Sequence, residues 1–489
     1  MSGSRHGPWA GARHALDAFV RRGWAYLCVP AAAYAVYLWF LLDATQGRLC
    51  PQLDDAFIHY QYARSIAEGH PLAYHPGELP TTGATSFGYV ALVAVGWAVG
   101  FRGMATTLFA HLLAVVGLAL GGWAAKRMGD RLLGAPAGAA CAGCVWAFPQ
   151  LVFMAFGGME VALVVAAQLL AVGAAVRWSL SPAGRRTPRR ALGVALLGAL
   201  AALSRPEALS GAAAVALALA ALGSGKPWTR AYGAIALAPG ALPGLVARWA
   251  TGQGRTNGQI VKWLFADPYV DPETAIQRTR ENVVALVDEL LTGTHGDHAV
   301  PLFFSYLVLL GAALTVGAVV RRHGARGLVA SLCFLGGAGG ILVPATYWTF
   351  DTNLGRYLWP FVPLWAMAGA MGAVVIGRAL ARRTRLRGAP VALAAGFVAL
   401  CVAHPKRSLE RFVDSASEIC GQHLRMVAHL EREVPDDAVL AVNDAGAFAY
   451  LTDLQTYDLV GLTTTGAAPA WANGQGSVFE QLERVPTHR

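Results

Sequence analysis

The chain has 489 residues, of which 55% are hydrophobic and 14% are charged, and its mean hydropathy is +0.44. Soluble domains carry about 25% charged residues, so the composition excludes a water-soluble globular protein and predicts an all-α polytopic membrane protein. The net charge of +10 does not indicate a nucleic-acid partner, because the arginines cluster between apolar runs and so mark cytoplasmic loops. Besides the N-terminal tail, these clusters lie at 185–190, 321–326 and 382–387.

The apolar runs predict the order of the membrane segments. Residues 1–23 form a basic cytoplasmic tail, residues 24–43 cross the membrane outward, and residues 44–85 form the first outer loop. Further apolar runs lie at about 86–101, 104–125, 132–155, 160–178, 191–204, 207–223, 231–250, 300–320, 327–348, 357–378 and 389–404. These runs have the length of membrane-spanning helices.

One of these runs does not cross the membrane completely. If every run crossed, the arginine cluster at 185–190 would lie outside. Either the short run at 86–101 is a re-entrant or surface helix, or the segment 191–223 is crossed differently. We therefore expect about 11 spans, within a range of about 9 to 13, in a transmembrane domain over residues 24–404 with a second outer loop at 251–299.

The first outer loop opens with two adjacent acids. Residues 54–69 are predicted to form a helix, because acids in the first turn interact favourably with the helix dipole and Gly69 ends the segment. Asp55, His59 and Tyr62 follow at i, i+4 and i+7 and would share one face. The pattern therefore predicts an amphipathic helix along the membrane surface.

The C-terminal segment, residues 405–489, is the one sizeable water-soluble stretch. It is predicted to contain an amphipathic helix at 408–434 and short strands at 439–442 and 456–462, with a turn between the strands at 443–446. A small α/β domain of about 85 residues is marginally stable alone. We therefore expect it to dock on the outer loops.

The 7 cysteines form no metal-binding pattern. Cys141 and Cys144 are a CxxC pair inside an apolar run, which favours core packing over redox or zinc chemistry. Cys50 and Cys420 both fall on the outer side of the predicted topology. A disulfide between them is one of two options, and free thiols are the other.

The unusual polar residues collect on the outer side of the predicted topology. Charges near membrane depth are costly, so these residues are candidates for function. They are Asp54, Asp55, His59, Arg64, Glu160, Arg205, Glu207, Lys262, Asp351 and Arg356. The adjacent acids can act as a general base and its neighbour, and the cations can bind a phosphate. Structural alternatives also exist: an acid can cap a helix, Arg205 and Glu207 can neutralise each other, and a cation can be a snorkelling anchor.

Common motifs of nucleotide and zinc enzymes are absent from the sequence. It contains no Walker loop, no Rossmann glycine fingerprint and no HExxH. An enzyme on the outer face has no nucleotide supply, so an activated group would reach it on a lipid carrier. A lipid-phosphate sugar donor meets this requirement.

The first outer loop resembles a known family. LDDAFIHYQYARSIAEGH, followed by a Pro/Gly loop and TGATSFGY, is similar to the corresponding loop of the GT-C glycosyltransferases. The resemblance is strongest to the polyprenyl-phosphate-sugar-dependent group that includes the mycobacterial terminal arabinofuranosyltransferase. It continues in FGGMEVAL, LSRPEAL, TNGQIVK, GRYLWPFVPL and VNDAGAFAYLTDLQTYDLVGL. The chain departs from the family pattern at Gly83, at Ala84 and at FGY after Ser86, and the loop around Asn257 lacks the usual proline and tyrosine.

The resemblance implies a GT-C-like fold and an inverting hexosyl- or pentosyltransferase. The enzyme would move a monosaccharide from a polyprenyl-phosphate donor to a glycan, lipid or protein acceptor of the cell envelope. Asp54 would be the base that deprotonates the acceptor hydroxyl, and Asp55 would support it. The residues that would bind the acceptor or the sugar are His59, Tyr62, Thr85, Ser86, Glu160 and Glu207. The residues that would bind the donor phosphate are Arg64, Arg205, Lys262, Arg356 and Tyr357.

The resemblance implies no required metal or other cofactor, because cations can stabilise the leaving phosphate; a divalent cation stays an option. The expected location is the bacterial cytoplasmic membrane, among membrane lipids, with the active site and the C-terminus on the extracytoplasmic face. Two alternatives stay open, namely a transporter or flippase of a lipid-linked or anionic solute and an inactive scaffold of envelope assembly. Transport is disfavoured because the polar residues collect on one face and no inverted repeat is visible.

Overall fold

The computed structural model describes residues 10–223, 227–292, 304–349 and 355–484, and this part of the chain is mostly helical. Asp351, residues 1–9 of the basic tail and the end of the second outer loop lie outside the described residues. Helices α1 to α9 are Ala10–Ala44, Asp55–Ala67, Phe87–Ala98, Ala105–Leu133, Ala135–Trp146, Pro149–Ala155, Val161–Leu180, Pro188–Ser204 and Leu209–Leu222. Helices α10 to α17 are Pro227–Leu237, Leu242–Thr251, Asn257–Lys262, Pro272–Thr292, Phe304–His323, Ala325–Ala338, Val362–Thr384 and Ala389–Leu400. Short 3₁₀ turns lie at Ala183–Arg185, Pro206–Ala208, Ala238–Ala241 and Gly339–Thr346.

Within the described ranges, 7 helices are long and apolar enough to cross a membrane, and α5 with α6 makes an 8th span if this pair, bent by 60°, is counted as one. The shorter helices α8, α9 and α10 pack against one another. The 7 or 8 candidate spans are fewer than the about 11 expected from the sequence, because these three helices each have fewer than 18 residues. Helix α3 has 12 residues and is about 18 Å long, too short for a hydrocarbon core of about 30 Å. Its length agrees with the expectation that the run at 86–101 is not a full span.

The helical domain has two chemically different ends. Helix α7 has 20 residues, about 30 Å in length; it begins directly after Glu160 and leads to the arginine cluster at 185–190. Helix α16 begins shortly after Arg356 and carries Arg382 and Arg383 in its last turn. One end of the domain therefore holds arginine clusters, and the other holds the polar residues singled out above.

The predicted surface helix is a buried helix. Helix α2 packs against α3 and α19 (Ala445–Thr452), and Phe57 and Tyr60 on it are fully buried. The spacing of Asp55, His59 and Tyr62 suggested one polar face and one lipid-facing side. That interpretation was wrong because aromatic side chains on the remaining faces form a second apolar core with α3 and the C-terminal domain.

The C-terminal domain begins with α18 (Pro405–Glu433), followed by β1 (Val439–Val442), α19, β2 (Gln455–Asp458), α20 (Ala468–Asn473) and α21 (Gln475–Glu483). The helix and the first strand agree with the sequence prediction. The second strand is shorter than predicted, and only the first half of the predicted turn at 443–446 is non-helical, because α19 begins at Ala445. The strands pair in parallel, from Val439 with Gln455 to Val442 with Asp458, and parallel neighbours need a crossover such as this helix.

The C-terminal domain is attached to the first outer loop. Cys50 and Cys420 form a disulfide with a Cα–Cα distance of 5.9 Å, which is one of the two states that the sequence left open. The Tyr74 hydroxyl donates a hydrogen bond to the Ala445 carbonyl at 3.0 Å. The other cysteine pair, in α5, is buried and free, in agreement with the prediction of core packing.

Candidate active site

A cavity of about 420 Å³ lies at the end of the helical domain away from the arginine clusters. It collects most of the site residues predicted from sequence, although they come from widely separated segments. The predicted residues in its wall are Asp55, His59, Thr85, Glu160, Arg205, Glu207, Lys262, Arg356 and Tyr357. Among the described residues, no group of three or more His, Cys, Asp or Glu side chains is placed to hold a metal ion.

One part of the cavity brings a carboxylate against two cations. Arg356 Nη2 donates a hydrogen bond to Asp55 Oδ2, and Lys262 Nζ lies 3.8 Å from the same oxygen. Burial alone would raise the pKa of Asp55, but Arg356 and Lys262 outweigh burial and hold that pKa below its usual range. The Asp55 side chain is therefore ionised, and it keeps 28% exposure in the cavity wall.

Tyr357 connects the two cations. Its hydroxyl accepts hydrogen bonds from Arg356 Nη2 at 2.9 Å and from Lys262 Nζ at 3.4 Å. The Arg205 guanidinium lies over its ring, 4.9 Å from the centroid. Burial raises the pKa of Tyr357, yet the three cations together lower it to about 8. A cluster of this kind suits an anionic ligand such as a phosphate.

Arg205 holds two acids on the other side of Tyr357. Its Nε and Nη2 donate to the two carboxylate oxygens of Glu207 at 3.0 Å and 3.1 Å, and its Nη1 donates to Glu160 Oε1. Tyr347 donates a further hydrogen bond to Glu207 at 2.9 Å. The alternative that Arg205 and Glu207 neutralise each other therefore describes their state here, and Arg205 is less available to a phosphate than Lys262 and Arg356.

Asp54, the predicted base, does not line the cavity. It is buried against the C-terminal domain, where Gly446 N and Ala447 N donate hydrogen bonds to its two carboxylate oxygens at 2.7 Å and 2.8 Å. His423 Nε2 lies 3.8 Å from Asp54 Oδ1. Burial raises the pKa of Asp54 to about 6. In this geometry Asp54 binds the first turn of α19 and has no access to a ligand in the cavity.

Three further predicted residues also lie outside the cavity. Tyr62 accepts a hydrogen bond from a backbone N–H of the following loop at 3.0 Å. Ser86 donates to the Ser204 carbonyl at 2.9 Å. Arg64 forms an ion pair with Asp453 in the C-terminal domain. These contacts connect the first outer loop with neighbouring segments. In this geometry Tyr62, Ser86 and Arg64 do not contact a ligand in the cavity.

Sequence reasoning missed several residues of the cavity wall. Tyr347, Gln259 and Met159 line it, and so does Leu462 of the C-terminal domain. The Leu462 carbonyl accepts a hydrogen bond from Asn257 Nδ2 at 3.1 Å. A tyrosine directly before Trp348, at the end of an apolar run, was the available signal for Tyr347. Nothing local distinguishes Leu462, because only docking of the C-terminal domain brings it to the site.

Comparison with solved structures identifies the fold. ArnT from Cupriavidus metallidurans bound to undecaprenyl phosphate matches with a TM-score of 0.53 over 91% of this chain and 88% of that chain, at 15% identity. The chain has a GT-C fold. The oligosaccharyltransferase of Archaeoglobus fulgidus in complex with Zn and sulfate is also similar, with a TM-score of 0.50 over 88% of this chain at 12% identity. This chain spans 62% of the length of that longer protein.

Sequence comparisons add one match. Residues 417–487 match a family described as a domain of unknown function, DUF8728. No curated protein matches the sequence. The structural identities of 15% and 12% establish the fold alone. Membership of the arabinofuranosyltransferase group stays a prediction.

Proposed function

We propose that this GT-C protein is an inverting glycosyltransferase, which moves a monosaccharide from a polyprenyl-phosphate donor to a hydroxyl group of a cell-envelope acceptor. The observation that carries this proposal is the group formed by Asp55, Lys262 and Arg356, because it combines a base with cations for a phosphate in one cavity. The similar fold of ArnT bound to undecaprenyl phosphate supports a lipid phosphate as the class of donor.

The cavity has groups for both halves of the transfer. The acceptor oxygen attacks the anomeric carbon, the bond from this carbon to the phosphate oxygen breaks, and the electron pair leaves on the phosphate. Lys262 and Arg356 stabilise that developing charge, and the Tyr357 hydroxyl orients both cations. The proton of the acceptor hydroxyl passes to Asp55. Attack from the side opposite the phosphate inverts the anomeric carbon.

In this proposal Asp55, and not Asp54, is the base. The cations that lower the pKa of Asp55 are the same ones that we assign to the phosphate. A bound phosphate shares their charge, so the pKa of Asp55 rises and its carboxylate becomes a better proton acceptor. Donor binding thereby prepares the base for the acceptor.

An apolar part of the wall fits the lipid portion of the donor. Leu209, Pro243 and Val343 line the cavity. Helix α11, which carries Pro243, exposes Leu245 and Trp249 on its outer side, at 64% and 81%. Exposed tryptophan and leucine side chains are typical of a surface in contact with the membrane interface. The polyprenyl chain would reach the cavity along this apolar wall.

Two features support an extracytoplasmic active site in a bacterial cytoplasmic membrane. The disulfide between Cys50 and Cys420 lies on the cavity side of the domain, and disulfides persist in oxidising compartments. The arginine clusters lie at the opposite end, as cytoplasmic loops do. A donor carried by a lipid is the form of activated sugar available on such a face.

The test is direct transfer. Purified protein in nanodiscs is given radiolabelled polyprenyl phosphates with different pentoses and hexoses, together with glycan, lipid and protein fractions of the cell envelope. The wild type should transfer at least one sugar, with or without EDTA as a check for a divalent cation. In proteoliposomes, movement of the labelled lipid across the bilayer with no transfer of sugar would overturn the proposal in favour of a flippase.

A further inference from the structure

Two polar side chains of the cavity wall, Gln259 and Thr85, keep hydrogen-bonding groups that the protein itself does not use. Within the described part of the chain, Gln259 Nε2 and the Thr85 hydroxyl have no hydrogen-bond partner. Both side chains are half-buried and line the cavity, so a ligand can reach them. Neither has a part in the chemistry proposed above.

The start of α12 fixes the orientation of the Gln259 amide. Gln259 Oε1 accepts a hydrogen bond from Thr256 N at 2.9 Å, and Thr256 Oγ1 accepts one from Gln259 N at 3.2 Å. This capping box requires the amide oxygen, and not the nitrogen, to face the backbone N–H. The NH₂ group of Gln259 is therefore held in place as a donor for a ligand.

Thr85 differs from the two earlier threonines of the same loop. Thr82 Oγ1 accepts a hydrogen bond from Asn257 N at 3.1 Å, and Thr81 Oγ1 accepts one from Asn257 Nδ2 at 3.0 Å. Both of these threonines are buried, and their bonds hold the loop against α12. A Cβ atom added at Gly258 would lie 3.2 Å from Thr85 Cγ2. Thr85 therefore packs on the start of α12, beside the free amide, and the two free groups belong to one patch of the wall.

The patch lies where the outer loops meet the C-terminal domain. The Leu462 carbonyl accepts a hydrogen bond from Asn257 Nδ2 at 3.1 Å, and a Cβ atom added at Gly83 would overlap the same carbonyl. The C-terminal domain is the water-soluble part of the chain, so a water-soluble acceptor reaches the cavity from this side. The donor lipid is assigned to the apolar wall, which other elements form.

The patch is also close to the proposed base. Gln259 and Lys262 lie one turn apart on α12, about 5 Å along its axis. Lys262 Nζ in turn lies 3.8 Å from Asp55 Oδ2. An acceptor sugar whose reacting hydroxyl contacts Asp55 can therefore place a neighbouring hydroxyl at the patch.

The chemistry of the patch is polar and uncharged. Its free groups are an amide and a hydroxyl, flanked by Gly83 and Gly258. A sugar hydroxyl both donates and accepts hydrogen bonds, so it pairs with groups of this kind, and glycines let a ring approach the backbone closely. A lipid acceptor would require an apolar wall here, and an anionic acceptor would require a cation beyond those assigned to the phosphate.

We propose that Gln259 and Thr85 form the acceptor subsite and that the acceptor is a neutral glycan, bound through a hydroxyl next to the one that is glycosylated. The Gln259 amide donates a hydrogen bond to the oxygen of that hydroxyl, which donates its own hydrogen bond to Thr85 Oγ1. This inference rests on the proposed function and names the class of acceptor that the same cavity takes.

The test variants are Gln259→Met and Thr85→Val, each with a matched control. Thr256→Ala removes the other half of the capping box and keeps the amide. Thr465→Val removes a hydroxyl that donates to the Pro80 carbonyl of the same outer loop. Transfer from a labelled polyprenyl-phosphate sugar to neutral glycan fragments of the cell envelope is measured in nanodiscs.

Each test variant should raise KM for the glycan by about 3- to 10-fold, the size of one lost hydrogen bond. The controls should stay within about 2-fold of the wild type. The Kd for polyprenyl phosphate, measured by thermophoresis, should not change in either test variant. Equal effects in test variants and controls, or a loss of donor affinity in place of acceptor affinity, overturns the inference.

Acceptor analogues test the contact itself. Glycan fragments that lack one hydroxyl next to the glycosylated position are compared with the parent fragment. One such analogue should raise KM by about 10-fold in the wild type and should cause no further loss in the double variant Gln259→Met/Thr85→Val, because the partners of that hydroxyl are already absent. Additive losses for every analogue would contradict a direct contact.

Saccharide binding separates this inference from the proposed function. Binding of fluorescent neutral disaccharides and trisaccharides is measured by thermophoresis in detergent, without a donor. Binding that the double variant loses, with no transfer by the wild type, would reject the proposed function and support the inference. Transfer to glycans with an unchanged KM in the double variant would do the reverse, as would transfer to lipid or peptide acceptors alone. Neither transfer nor saccharide binding in the wild type would overturn both.

Discussion

Asp54 and Asp55 are neighbours in sequence and lie in different environments. The Asp55 carboxylate lines the cavity beside Lys262 and Arg356, which lower its pKa. The Asp54 carboxylate accepts hydrogen bonds from the first turn of α19 in the C-terminal domain, and burial raises its pKa to about 6. Consecutive residues of a helix point about 100° apart, so the start of α2 presents one acid to each partner.

Two adjacent acids can therefore have different functions in one protein. Asp55 has the cations and the cavity that a reaction needs, whereas Asp54 joins the helix carrying Asp55 to the C-terminal domain. The approach of that domain is close, because a Cβ atom at Gly446 would overlap Asp54. The segment that matches a domain of unknown function, residues 417–487, therefore contributes to the geometry of the cavity in two ways. It binds Asp54, and it places Leu462 in the cavity wall.

The largest expected effect comes from removing the carboxylate in the cavity. Asp55→Asn should lower kcat by about 10³-fold, the usual magnitude for loss of a general base, while donor binding is retained because Lys262 and Arg356 remain. Asp54→Asn should keep kcat within about 10-fold of the wild type. Single-turnover transfer from a labelled donor measures both. The reverse order of the two variants would return the base role to Asp54.

Breaking the covalent attachment of the C-terminal domain should have the next largest effect. Cys420→Ser removes the disulfide to Cys50, and loss of a disulfide costs about 2–4 kcal/mol of stability. We expect a lower midpoint of thermal unfolding in detergent and a partial loss of transfer. Cys28→Ser, at an exposed free thiol, is the control. An unchanged midpoint in Cys420→Ser would show that the noncovalent contacts suffice for docking.

Removing a cation from the proposed phosphate site should weaken the binding of the donor. Arg356→Met should raise the Kd for polyprenyl phosphate by about 10- to 100-fold, because hydrogen bonds to charged groups contribute about 1.5–3 kcal/mol. Arg64→Met is the matched control, since Arg64 pairs with Asp453 outside the cavity. Thermophoresis with polyprenyl phosphate measures both variants. Equal loss of affinity in the two would contradict the assignment of the phosphate to the cavity.

Titration of Asp54 should give the smallest effect. Its pKa is raised from 3.8 to about 6, so the folded state binds this proton more tightly than the unfolded chain. The stabilisation from this group is present below pH ~4 and is lost as the pH rises through about 6. His423 faces Asp54 at 3.8 Å and also lies 3.5 Å from Asp444, so these charges respond together.

The measurement is the unfolding midpoint of wild type minus that of Asp54→Asn, in detergent, from pH 4.5 to pH 7.5. Asparagine imitates the protonated acid and does not titrate. The difference should become less favourable to the wild type by about 1–2 °C as the pH rises. A difference that is constant with pH, or that grows in favour of the wild type, would contradict the raised pKa.

Much of the architecture could be predicted because it depends on local composition. The long apolar stretch of α7 has no stable place in water, and the arginines at 185–190 cannot stay in hydrocarbon, so both the span and its ends follow from sequence. Hydropathy and the arginine clusters also predict that Glu160, Arg205 and Arg356 lie together at the end of the domain opposite those clusters. The proline of the RPE turn predicts the end of α8, which the structure places at Ser204, directly before the cavity residue Arg205.

Other predictions failed where the outcome depends on distant partners. The polar spacing on α2 predicts a surface helix, but it does not show that Phe57 and Tyr60 pack against other elements and bury the helix. The segment at 443–446 has turn-forming residues, yet its second half belongs to α19, because parallel strands need a crossover between them. These errors arise because local patterns carry no information about packing across hundreds of residues.

The sequence alone sufficed to predict a helical membrane protein with its unusual polar residues at one end, because hydropathy and charge constrain each segment independently. Only the tertiary structure decided which acid meets the cations and which meets the C-terminal domain. These assignments depend on side-chain direction and on the position of partners far along the chain, and no local pattern encodes either.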